Sequence, residues 1–138
     1  MISTRGRYAI RFMIDLAEQR ADTPVTLEGA AQRQEISKKY LEIVVKLLVK
    51  AKLVKGTSGK GGGYRLLRAP EEYTVGEILQ ATEEAMCTVA CLSPDAEACP
   101  RKDICKTLPM WKNFDKLVHN YFYGITIADL KDGNIKDL

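Results

Sequence analysis

The stretch Gly56-Thr57-Ser58-Gly59-Lys60-Gly61-Gly62-Gly63 places five glycines among eight residues. Backbone this poor in side chains neither sustains a helix nor fills a core. The run Lys52-Leu53-Val54-Lys55 precedes it and Tyr64-Arg65-Leu66-Leu67 follows. Both flanks read as strands, so the spacing predicts a β-hairpin with a flexible tip. A phosphate-cradling loop is the competing use of such glycines, but the Gly-Lys-Ser/Thr ending and the following helix are both missing.

Upstream, Ala9, Phe12, Met13, Leu16 and Ala17 repeat at the 3,4 spacing of an amphipathic helix over about residues 5–20, capped by Ser3 or Thr4. Thr26 opens a short second helix to about Arg33, and Ser37 caps a third that runs to about Ala51. In the third, Leu41, Val44, Val45 and Leu48 form the apolar stripe, while Lys38, Lys39, Glu42, Lys46 and Lys50 stand on the other side. Short helix, tight turn and longer helix with a basic outer face is the pattern of a helix-turn-helix, though any helical hairpin with a solvated face shows it too. The hairpin that follows strengthens the first reading, because it can reach a minor groove or phosphate row beside a helix lying in the major groove.

Charge points the same way. Residues 1–68 carry 14 Lys+Arg against 6 Asp+Glu, and residues 69–138 carry 7 against 12. A positive half followed by a negative one implies a polyanion partner for the first, here double-stranded DNA. The expected architecture is mainly α with a small β-hairpin wing. Residues 1–70 form a winged helix-turn-helix DNA-binding domain, and 71–138 a sensor loop and a long dimerisation helix.

In the second half, Thr74-Val75-Gly76-Glu77 reads as a capping box for a helix that fades near Ala85. Residues 86–106 show no sustained period. Order returns at Thr107, a helix cap with Pro109 tolerated in the first turn. Trp111, Phe114, Leu117, Val118, Tyr121 and Phe122 then mark one face. So many large apolar groups on one helix imply self-association as a homodimer, the plain alternative being packing onto the basic half. Ile125 to Leu130 reads as a turn and a short terminal helix.

All four cysteines, Cys87, Cys91, Cys99 and Cys105, fall in the aperiodic segment. No window resembles a membrane span or a secretory signal, which implies a cytoplasmic protein whose reducing surroundings disfavour disulfides. No Cys-x2-Cys pair is present, so zinc is less suited than an iron-sulfur cluster, whose several irons accept more widely spread thiolates. A reversible thiol switch is the third possibility. Arg101, Lys102 and Lys106 would favour thiolates. His119, the single histidine, stands among Lys112, Asp115 and Lys116 and reads as solvated. No His/Cys or paired-carboxylate constellation suits catalysis, so an enzyme is not expected.

Several stretches together resemble the IscR, NsrR and CymR group of bacterial winged-helix regulators. They are Ser3 to Ala9, Ile36-Ser37 with Tyr40-Leu41-Glu42, Gly61 to Tyr64, Thr74 to Ile78, three spaced cysteines, Trp111 and Ile125 to Leu130. The resemblance spans nearly the whole chain. It implies a dimeric transcription factor whose operator binding follows cluster occupancy or redox state, with a 2Fe-2S cluster favoured over 4Fe-4S. By that resemblance Cys91, Cys99 and Cys105 are metal ligands. Lys38, Lys39, Tyr40 and Glu42 face bases, Ser37 lies near phosphate, and Arg5, Arg7 and Lys60 join the DNA contacts. Glu42 is also suited to accept from a cytosine amine, its plain alternative being an i,i+4 bridge to Lys38 or Lys46.

The chain departs from the pattern in three respects. Leu108 stands where IscR-type proteins place a histidine ligand, Arg7 and Tyr8 where NsrR-type proteins use an acidic residue, and Ser58 where a wing arginine often enters the minor groove. The fourth ligand is thus open among Cys87, an acidic residue from either chain, and water; Cys87 reads equally well as a small buried residue. A cluster-free regulator of the CymR type, controlled by a protein partner or by thiol oxidation, is the alternative.

Overall fold

A computed structural model of the chain describes residues 2–138. Three helices come first: α1 (Thr4–Glu18), α2 (Leu27–Gln34) and α3 (Lys38–Lys50). Each starts where a hydroxyl satisfies an otherwise orphaned amide: Ser3 accepts from Gly6 N–H, Thr26 from Gly29 N–H and Ser37 from Tyr40 N–H. The apolar stripes meet in one core, with Phe12, Met13, Leu41, Val44 and Leu48 fully buried.

The wing begins later than its sequence suggests. Lys52 adopts a left-handed conformation, φ 59°, and Leu53 N–H still donates to Leu48 O at 3.0 Å, so the chain becomes extended only at Val54. Strands β1 (Val54–Thr57) and β2 (Gly63–Leu66) pair antiparallel, Gly56 opposite Tyr64. On its other side β2 is pinned to the α1–α2 connection, where Val25 and Tyr64 exchange two backbone hydrogen bonds of 2.8 Å. Gly63 makes this approach possible. Its φ is +153° and a Cβ there would lie 2.4 Å from Val25 O.

A 3-10 turn (Pro70–Glu72) leads to α4 (Val75–Thr82). Tyr73, fully buried, locks this junction: its hydroxyl donates to Leu53 O at 2.6 Å and accepts from Leu67 and Arg68 N–H. The expected capping box at Thr74 forms by half. Thr74 accepts from Glu77 N–H, but the Glu77 carboxylate turns to Arg68 at 2.7 Å, a charged partner stronger than a backbone amide.

After a segment with one 3-10 turn (Ala90–Leu92) come α5 (Leu108–Tyr123) and α6 (Ile127–Asp132). Helix α6 opens with a reciprocal Thr126–Asp129 cap and buries Ile127 and Ala128. Ile127 joins the same core as Tyr73, Ile78 and the helices of the first half, so apolar packing runs across residue 70. Helix α5 has no fully buried residue and rests on α4, with the Tyr123 ring against Gly76, where no Cβ would fit.

Candidate nucleic-acid interface and cysteine cavity

The outer face of α3 is open. Lys38, Lys39, Glu42, Lys46 and Lys50 are exposed, Ser37 is exposed at its cap, and Tyr40 is half-buried. Among the described residues Glu42 forms no ion pair, so the bridge to Lys38 or Lys46 is not formed. Tyr40 packs edge-on against Tyr8 at 5.4 Å between ring centroids, and the Arg11 guanidinium lies 5.5 Å over the Tyr8 ring. Arg11 also hydrogen-bonds Gln34, holding the start of α3 against α1 through the turn.

A second brace was not foreseen. Asp15, 1% exposed, accepts from Arg33 at 3.0 and 2.8 Å and from Gln34 Nε2 at 3.2 Å. The hydrogen bond to Asp15 raises the Arg33 pKa above its ordinary value. This fixes α2 on α1 and thereby the angle at which α3 is presented. Its sequence signal is a carboxylate placed between Phe12, Met13 and Leu16 on the apolar face.

Of the basic residues expected at the DNA side, Lys60 is exposed at the wing tip and Arg7 is exposed on α1. Arg5 instead donates to Thr82 O at 2.8 Å and ties α1 to the end of α4. Ser58 shares the exposed tip with Lys60.

The three cysteines of the sensing pattern come together. Cys91, Cys99 and Cys105 line one cavity of about 330 Å³. Leu108 forms part of its wall, at the start of α5. Glu97, Lys102 and Lys112 also line it, one carboxylate and two cations. Thr107 does not cap α5. Its hydroxyl lies 3.4 Å from Cys105 Sγ, and that contact, aided by the local backbone amides and Arg101, lowers the Cys105 pKa. The donor set fits a thiolate-bound iron-sulfur cluster in kind, although no three metal-binding groups converge on a single ion position among the described residues.

Cys87 is elsewhere. It lines a separate, mainly apolar cavity of about 290 Å³ with Met86, Phe114, Val118 and Phe122. The segment's start is held there by Asp115, which accepts from Thr88 N–H at 2.7 Å. Cys87 does not line the cavity of the other three cysteines. His119 is exposed on α5 and stacks on Tyr123, centroids 4.3 Å apart, as a solvated histidine would.

No helix among the described residues is long and apolar enough to cross a membrane. The exposed side of α5 carries Met110, Phe114, Leu117 and Tyr121, with Leu117 68% exposed.

With this arrangement in view, the likeness to known proteins is decisive. The family model Rrf2, described as an iron-dependent transcriptional regulator, matches residues 2–133. The chain is 36% identical over 129 residues to Protein rrf2 of Nitratidesulfovibrio vulgaris, covering 94% of this chain and 85% of that one. Among solved structures it is similar to CymR, the global cysteine regulator of B. subtilis, at 32% identity and a TM-score of 0.77, covering 99% of this chain and 98% of that one. IscR of T. potens follows at 31% and 0.76, with coverage of 98% and 88%. The chain belongs to the Rrf2 family: it is a transcriptional regulator of the DNA-binding, winged helix-turn-helix kind and not an enzyme.

Proposed function

We propose that this regulator works in the cytoplasm as a homodimer whose operator affinity is set by an iron-sulfur cluster bound through Cys91, Cys99 and Cys105, the 2Fe-2S form being favoured. The observation that carries the reading is that these three thiols, and not Cys87, line one cavity. When bound, such a cluster supplies a group whose presence reports iron supply and oxidant exposure. The protein's own part is to offer the thiolates. Thr107 favours the charged form of Cys105, and Lys102 and Lys112 offset the negative charge collected there.

Coupling to DNA runs through α5. Leu108 belongs both to the cavity wall and to the first turn of the helix that bears the exposed apolar face. A change at Cys105 therefore acts at the root of the surface on which a second copy would dock, and two docked copies set the spacing of two α3 helices on a pseudo-palindromic operator. In each copy Lys38, Lys39, Tyr40 and Glu42 would meet the major groove, and Ser37, Lys60 and Arg7 the neighbouring backbone, while Arg5 stays on Thr82 O.

The test is anaerobic purification and reconstitution. The expected product is coloured and contains iron and acid-labile sulfide, both lost when Cys91, Cys99 and Cys105 become serine. Colourless, iron-free wild-type protein after reconstitution overturns the reading. For the DNA side, Lys39→Ala should weaken binding, Lys60→Ala should weaken it across sequences and reduce the salt slope by about one, and Glu42→Ala should alter base preference.

A second reading is favoured by two observations, the near-complete overlap with CymR and Leu108 in place of a histidine ligand. Control would then come from a protein partner or from thiol oxidation. Unchanged DNA affinity and unchanged regulation in the triple serine variant would select partner docking.

A further inference from the structure

We infer that Glu97 supplies the fourth ligand, a carboxylate oxygen, of the group held by Cys91, Cys99 and Cys105. The inference rests on the cluster reading above and asks which atom completes it. Three thiols leave one protein position open, and Leu108 has no atom able to fill it. Cys87 belongs to the apolar cavity against Phe114 and Val118, and His119 stacks on Tyr123 on the exposed side of α5. Neither lines the cavity of the three thiols.

Glu97 does line it, and it is the single carboxylate among the lining residues. It sits between Cys91 and Cys99 in sequence, in exposed backbone without helix or strand. A segment without regular structure can bring a short-range carboxylate to a site that its own flanking cysteines define. Lys102 and Lys112 in the same wall compensate the charge that a fourth anionic donor adds to three thiolates. An oxygen donor among sulfurs also binds iron less tightly than a thiolate, which makes that position the one where a cluster opens first.

The experiment uses full-length protein reconstituted anaerobically, with wild type, Glu97→Ala, Glu97→Cys and Cys87→Ser compared by iron and sulfide content, visible circular dichroism and the rate of cluster loss to a chelator. Because loss of an outer-shell partner alone weakens metal binding at least about tenfold, Glu97→Ala should lose its cluster on the order of tenfold faster, with altered visible dichroism. Glu97→Cys should slow the loss, and Cys87→Ser should match wild type. Wild-type spectrum and loss rate in Glu97→Ala overturn the Glu97 assignment while leaving the cluster reading standing. A changed spectrum in Cys87→Ser with none in Glu97→Ala overturns it in favour of Cys87. A wild-type protein that takes up no iron overturns the cluster reading itself, and this assignment with it. Glu97 is exposed, so its substitutions leave folding intact, and far-ultraviolet dichroism checks this for every variant, the half-buried Cys87→Ser included.

Discussion

The winged helix-turn-helix body and the cysteine segment are built from the same chain by opposite means. In the body, side chains far apart in sequence are interlocked: Asp15 with Arg33 and Gln34, Tyr73 with Leu53, Leu67 and Arg68, and Ser3 with Glu83 at 2.8 Å. From Cys91 to Lys106 the backbone bonds only to near neighbours, as in Ala96 to Ser93 and Lys102 to Cys99, and most residues are exposed. The Thr88 to Asp115 bond holds its start and α5 begins where it ends. The contrast separates two duties. A rigid frame is needed to present α3 and the wing at a fixed angle, whereas a segment with few long-range bonds can rearrange around a ligand without a large change in folding free energy.

Substitutions can break that contrast, beginning with the largest effect. Phe12→Ala empties a fully buried site beside Tyr64 and should cost about 3–5 kcal/mol, read by denaturant unfolding. Tyr73→Phe keeps the ring and removes the hydroxyl that joins three backbone groups; about 1–3 kcal/mol should be lost, again by unfolding. Replacing Cys91, Cys99 and Cys105 together by serine should change the stability of the metal-free protein by no more than about 0.5 kcal/mol. A loss near that of Phe12→Ala would show that the segment is part of the frame. The finest effect is Thr107→Ala, which removes the hydroxyl beside Cys105 and should move its alkylation to higher pH. The sign follows from the thiolate being the reactive form: Thr107 lowers the Cys105 pKa, so its loss leaves less thiolate at a given pH. An unchanged pH profile would mean that the hydroxyl does not stabilise the thiolate.

For the DNA half, reading the residues was effective because the signals are local. Apolar spacing located α1, α2 and α3 to within a residue or two, and Ser37 caps α3 as its position before the periodic run implies. The glycine run located the wing but not its first strand residue, since the turn at Lys52 is decided by a bond back to Leu48. For the sensing half, the grouping of cysteines was plain and their division was not. Nothing in the spacing separates Cys87 from Cys91. Their different cavities follow from how α5 lies across α4, with Met86 and Cys87 against Phe114 and Val118.

Periodicity, caps and the charge difference between halves are properties of neighbouring residues, and they were enough to establish a mainly α chain with a wing, a basic helix and a thiol-rich segment. Choices between competing partners belonged to the folded chain. Glu77 met Arg68 instead of completing its cap, Thr107 met Cys105 instead of capping α5, and Asp15 was buried because Arg33 and Gln34 arrived to satisfy it. For Glu77 and Asp15 the deciding atom comes from outside the local pattern, whereas for Thr107 it lies two residues back, in the irregular segment that precedes the helix. A hydrogen bond goes to the partner that packing brings within about 3 Å, whatever its distance along the chain.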